Sequence, residues 1–168
     1  LHHKFNCPRY TSVMKYIIII LILICGLGIE NAEASQGIYY KALTQGVKFQ
    51  EKLIEDCHKT TLDTLSWAEF NLQDLNENSQ YCLRIPVTLS EQELKGHKQN
   101  IALVIAALAS AEVYWDGQYI GSKGVPGNSR ENEKTGPIGI KIPLTTEQLS
   151  SGEHLLSIAL STHHHDED

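Results

Sequence analysis

Ala111-Glu-Val-Tyr-Trp-Asp-Gly-Gln-Tyr-Ile-Gly121 is the stretch whose reading decides the fold class. Two short apolar runs, Val113 to Trp115 and Gln118 to Ile120, flank Asp116-Gly117. An Asp-Gly pair accepts the positive φ angles of a two-residue turn, so the stretch reads as a β-hairpin. Upstream, Ile101 to Leu108 is a continuous apolar run of strand length, consistent with a strand buried on both faces; a buried helix is the competing reading. Further upstream, Tyr81, Leu83, Ile85, Val87 and Leu89 alternate with Cys82, Arg84, Pro86 and Thr88, which predicts a strand with one apolar face. Pro86 lacks a donor and places that strand at an edge or a bulge. Downstream come a long Gly- and Ser-rich loop (Gly121 to Gly136), an alternating run (Pro137 to Leu144), a turn and a last strand (His154 to Ser161). Short strands punctuated by Gly, Pro and Asn predict an all-β sandwich.

The other segments are less regular. Phe49, Leu53, Ile54 and Cys57 fall at helical spacing, and one short amphipathic helix is expected within Val47 to Lys59. Thr60 to Asn78 fits an edge strand with a loop, and Ser90-Glu-Gln-Glu93 matches the box that caps a helical turn.

The N-terminal residues read as a targeting segment. The single Met is Met14, so residues 1–13 are expected to be an upstream artefact. Lys15 then precedes an apolar run from Tyr16 to Ile29, shorter than the ~20 residues a membrane-spanning helix needs. Ala32-Glu-Ala34 before Ser35 is a small-residue cleavage pattern, so residues 14–34 are expected to be a signal helix cut between Ala34 and Ser35; a retained anchor is the alternative. The expected layout is a lead-in over 35–60, one sandwich over 61–162 and a polar tail over 163–168. The chain stops directly after a strand, and the expectation is an N-terminal fragment whose membrane region lies beyond it.

Charge narrows the partners. The chain carries 14 Lys and Arg against 20 Asp and Glu, net −6. An acidic chain without a basic stripe is a poor binder of nucleic acid. Export places Cys57 and Cys82 in an oxidising compartment, where they either pair or stay buried thiols.

Val113-Tyr-Trp-Asp-Gly-Gln-Tyr-Ile-Gly-Ser-Lys-Gly124, with Pro126-Gly-Asn-Ser129, Glu133, Gly136-Pro-Ile138 and Gly152-Glu-His-Leu-Leu-Ser-Ile-Ala-Leu-Ser161, resembles the galactose-binding-like jelly rolls. Within that superfamily it is most similar to the extracytoplasmic sensor domains of bacterial membrane signalling proteins of the histidine kinase and diguanylate cyclase type. Carbohydrate-binding accessory modules of exported glycoside hydrolases are the nearest competitor. The resemblance covers Tyr81 to Ser161 and implies a periplasm-facing domain that binds a small polar ligand or sugar, with its membrane region elsewhere. Ala159 departs from the pattern, standing where an Arg is expected.

No output motif is present, and no cofactor is implied. Three adjacent residues on an extended chain alternate faces, so His163-His-His165 with Asp166-Glu-Asp168 does not predict a metal site. Paired carboxylates such as Glu131 and Glu133 lack the fixed separation and burial of a glycosidic acid and base, and no Ser or Cys sits in a nucleophile elbow. Catalysis is therefore not expected. The candidate ligand contacts are Trp115, Asp116, Tyr119, Asn128 and Glu133: an aromatic pair beside the turn, with polar groups from the long loop. For Trp115 and Asp116 the alternatives are a core indole and a turn residue.

Overall fold

In the computed structural model the described residues are 19–24, 39–42, 46–51, 54–61, 67–70, 75–95 and 101–164. They build two antiparallel sheets. One has four strands in the order β2 (Tyr39–Ala42), β1 (Ile19–Ile24), β6 (Ile101–Ala106), β9 (Gly139–Pro143). The other has six, in the order β4 (Ala68–Glu69), β3 (Lys48–Glu51), β5 (Gln80–Leu89), β10 (Gly152–Ser161), β7 (Ser110–Trp115), β8 (Gln118–Lys123). The result is the expected all-β sandwich. A single helical turn, α1 (Glu91–Leu94), starts at the expected capping box, in which the Ser90 side chain accepts from Glu93 N and the Glu93 side chain accepts from Ser90 N.

The core follows from the alternation. Leu83, Ile85 and Val87 of β5, Leu156, Ile158 and Leu160 of β10, and Val113 and Trp115 of β7 face Ile101, Leu103 and Ile105 of β6 and Ile142 of β9. Ile101–Ala106 is a strand, not the competing helix, because β9 pairs along one of its edges and β1 along the other. Pro86 sits on β5 beyond the end of β3, whose ladder stops at Lys48 opposite Arg84, so this part of β5 is an edge on that side and tolerates a residue without a donor.

Two expectations change. The helix expected within Val47 to Lys59 is replaced by β3 and a turn over 55–58. Phe49 packs edge-on against Phe70 at 5.9 Å and at a tilt against Tyr81 at 6.0 Å, from a strand paired to β5. The apolar N-terminal run, expected as a signal helix, contributes β1, paired with β6 from Ile19 opposite Ala106 to Ile24 opposite Ile101. A run of isoleucines has high strand propensity and satisfies the open edge of β6. Residues 1–13, the Ala34 and Ser35 cleavage position and the tail 165–168 lie outside the described residues.

Cys57 and Cys82 are joined, with an S–S distance of 2.05 Å and Cα atoms 5.4 Å apart. The bridge fastens a strap, residues 54–61, onto the outer face of the six-stranded sheet, the face turned away from the core. Ala159, directly opposite Cys82, is fully buried in the cluster around the bridge with Trp67. A methyl group there leaves room for the disulfide that an arginine would displace.

Candidate functional site

The hairpin tip is built as its sequence predicts. Asp116 has φ 50° and Gly117 φ 83°, both in the left-handed region the turn requires. Asp116 does more than turn the chain: its Oδ1 accepts from Leu155 N at 2.7 Å and its Oδ2 meets His154 Nδ1 at 2.7 Å, tying the tip to β10. His154 stacks on the Trp115 indole with centroids 4.9 Å apart. Burial pulls the His154 pKa down, but the hydrogen bonds to Asp116 and to the Ser150 carbonyl, with the Asp116 charge, outweigh it and leave the pKa raised.

Asp116, His154 and Ser150 superficially line up as a nucleophilic relay. His154 Nε2 lies 2.9 Å from the Ser150 carbonyl oxygen and 3.4 Å from its hydroxyl oxygen. Nδ1 faces a carboxylate and Nε2 a carbonyl, both acceptors, so the arrangement favours a ring that donates from both nitrogens over one with a lone pair turned to the serine hydroxyl. The arrangement is a clasp on the turn, not a base and its nucleophile.

The expected ligand contacts divide by where the fold puts them. Trp115 is 2% exposed and its Nε1 donates to the Gln148 carbonyl at 3.1 Å, so the core alternative holds for it. Glu133 is also buried rather than on a rim: Ser110 Oγ donates to its Oε1 at 3.0 Å and the His163 backbone N–H to its Oε2 at 2.8 Å. This carboxylate holds the loop 124–138 to the end of the sandwich. The nearby Lys123, its pKa lowered by burial against an opposing pull from the Glu133 charge, donates to the Ala109 carbonyl. Asn128 is exposed, and its Oδ1 accepts from Asn132 Nδ2 at 2.9 Å within the same loop. The structure therefore does not gather the five residues into one pocket. Among the described residues no cluster of His, Cys, Asp and Glu is able to hold a metal ion.

Tyr119 is different. It is 58% exposed and meets Tyr114 edge-on at 5.9 Å, and Tyr114 lies 5.9 Å from the His58 ring of the strap. Tyr114 donates from its hydroxyl to Glu112 Oε2 at 2.6 Å, and burial, followed by the neighbouring carboxylate, raises its pKa well above that of a free phenol. The ledge His58–Tyr114–Tyr119 thus has a fixed middle ring and a free outer one.

Sequence reading missed the row to which this ledge belongs. Register places Glu69, Lys48, Arg84, Ser157, Tyr114 and Tyr119 side by side across all six strands on the outer face. Glu69 and Lys48 pair at 2.8 Å at one end, and the aromatics occupy the other. In the middle, beneath the strap, Arg84 donates from Nη2 to the Lys59 carbonyl and its guanidinium carbon lies 5.8 Å from the Trp67 ring centroid.

No protein-family model matches the chain, and no curated protein matches it. Among solved structures it is similar to the structure of Bifidobacterium dentium beta-glucuronidase complexed with coumarin-3-O-glucuronide, at 17% identity and a TM-score of 0.39. That likeness covers 89% of this chain and 21% of the other, so the chain spans a minor part of that protein's length.

Proposed function

We propose that this is a non-catalytic ligand-binding sandwich that takes a small polar ring compound, a sugar, on the ledge of Tyr119, Tyr114 and His58. The observation that carries the reading is the exposed Tyr119 ring held edge-on against a pinned Tyr114, with the Glu112 carboxylate at its side. Aromatic faces stack on the C–H faces of sugars, and a nearby carboxylate accepts from their hydroxyls. In this reading the domain is exported and serves as the extracytoplasmic ligand-sensing part of a membrane signalling protein, as the sequence resemblance implies. The same ledge would suit a carbohydrate-binding accessory module of an exported glycoside hydrolase.

The test is calorimetric titration of the protein with a panel of neutral mono- and oligosaccharides, repeated on Tyr119→Ala. Loss of an exposed ring leaves the fold intact, so the melting temperature is expected to hold while affinity for the bound sugar falls about tenfold or more. Unchanged affinity in Tyr119→Ala would remove the ledge from consideration.

A further inference from the structure

We propose that Arg84 and Ser157 form a binding site for a small monocarboxylate beneath the strap, separate from the aromatic ledge and independent of whether that ledge takes a sugar. Arg84 is 2% exposed, and among the described residues its Nη2 has a partner while Nε and Nη1 are buried without one. Ser157 lies directly opposite Arg84 on the neighbouring strand and is fully buried, and its hydroxyl also has no partner among the described residues. Residues so paired on one face bring their Cβ atoms to about 5 Å, which puts the Ser157 hydroxyl beside the stem of Arg84 on the covered face.

The surroundings define the ligand. Burial lowers the Arg84 pKa; a delocalised guanidinium keeps its proton in proteins, so the site is cationic at neutral pH. Trp67 forms an apolar wall and the strap excludes water, which strengthens any charge-assisted hydrogen bond made there. Three carboxylates of the sheet and strap have partners of their own: Glu69 pairs with Lys48, Glu112 accepts from Tyr114 and Asp56 pairs with Lys59. A planar anion with two acceptor oxygens matches guanidinium N–H groups and a hydroxyl, and a neutral molecule of the same shape does not answer the charge. The same burial limits the ligand to an acid of a few heavy atoms, acetate or a close homologue, taken up as the strap closes over the sheet.

A ligand bound by the folded state alone raises stability with its concentration. The experiment is thermal unfolding of the protein in sodium acetate, replacing sodium chloride at constant ionic strength, with acetamide as the neutral isostere. The melting temperature is expected to rise with acetate and to ignore acetamide. Arg84→Met should abolish the acetate dependence whatever its own melting temperature. Ser157→Ala, which deletes only an unpartnered hydroxyl and so folds, should raise the acetate concentration needed for the same shift by about tenfold. An acetate dependence that persists unchanged in both variants, a response to acetamide equal to that of acetate, or no response in the parent protein overturns the proposal. None of these results touches neutral-sugar binding at Tyr119, so the two readings fail separately.

Discussion

Breaking the Cys57–Cys82 bridge should cost a substantial share of the stability of the domain, from about a quarter to about two thirds. The bridge spans a sequence separation of 25, and in the chain-entropy treatment a loop of that length withholds close to 12 cal/mol/K from the unfolded chain, or about 3.5 kcal/mol at 25 °C. Domains of this size are stable by ~5–15 kcal/mol in total. With a urea dependence of roughly 1.75 kcal/mol per molar, the unfolding midpoint should fall by about 2 M. The assay is urea unfolding of the protein before and after reduction, alongside a Cys57→Ala/Cys82→Ala variant that distinguishes loss of the crosslink from side effects of the reductant. Reduction should also loosen the strap over Arg84 and weaken the acetate response. A midpoint shift below about 0.5 M in both samples would refute the reasoning, because it would mean that the outer face holds the strap without the crosslink.

The core indole and the turn clasp make two further predictions. Trp115→Ala should destabilise by ~3–5 kcal/mol, whereas Trp115→Phe, which keeps most of the buried ring and loses the bond to the Gln148 carbonyl, should cost about 1–2 kcal/mol; guanidinium unfolding of both separates core packing from ligand contact. Asp116→Asn keeps an acceptor for Leu155 N but removes the charge facing His154. A histidine whose folded pKa is raised gives stability that is complete below its unfolded value near 6.5 and lost as pH climbs through the folded value. Asp116 is 46% exposed at its side chain, so screening limits the effect, and the parent should exceed the variant by about 0.5–1 kcal/mol at pH 6, with the gap closing by pH 9. A gap that widens with pH would show that His154 is neutral in the clasp.

Much of the sandwich could be read from residue order because its signals are local. The Asp116-Gly117 turn, the alternation in β5 and the capping box at Ser90 each depend on neighbours within a few residues. Val47 to Lys59 misleads for the opposite reason: Phe49, Leu53, Ile54 and Cys57 do repeat at helical spacing, but pairing with β5 decides the local structure. A continuous isoleucine run has no period at all, so Ile19–Ile24 reads equally as a signal or a strand. Among candidate ligand residues, Tyr119 lies on the surface beside a turn, as its position suggests. Arg84 and Ser157 were out of reach, since only the register of two strands far apart in sequence makes them neighbours. The available hint was a lone arginine on the polar face of a strand whose preceding Cys82 was a candidate for covering that face.

The position of β10 has a consequence for biosynthesis. Nearest to the C-terminus of the described strands, it lies between β5 and β7, so the six-stranded sheet has no continuous middle until residues 152–161 have left the ribosome. Loop-closure entropy makes such distant pairings slow to form, and a chain of this kind stays loose while it is being synthesised. It also means that a frameshift or premature stop before Gly152 would remove the strand that joins the β4-β3-β5 part of the sheet to the β7-β8 hairpin.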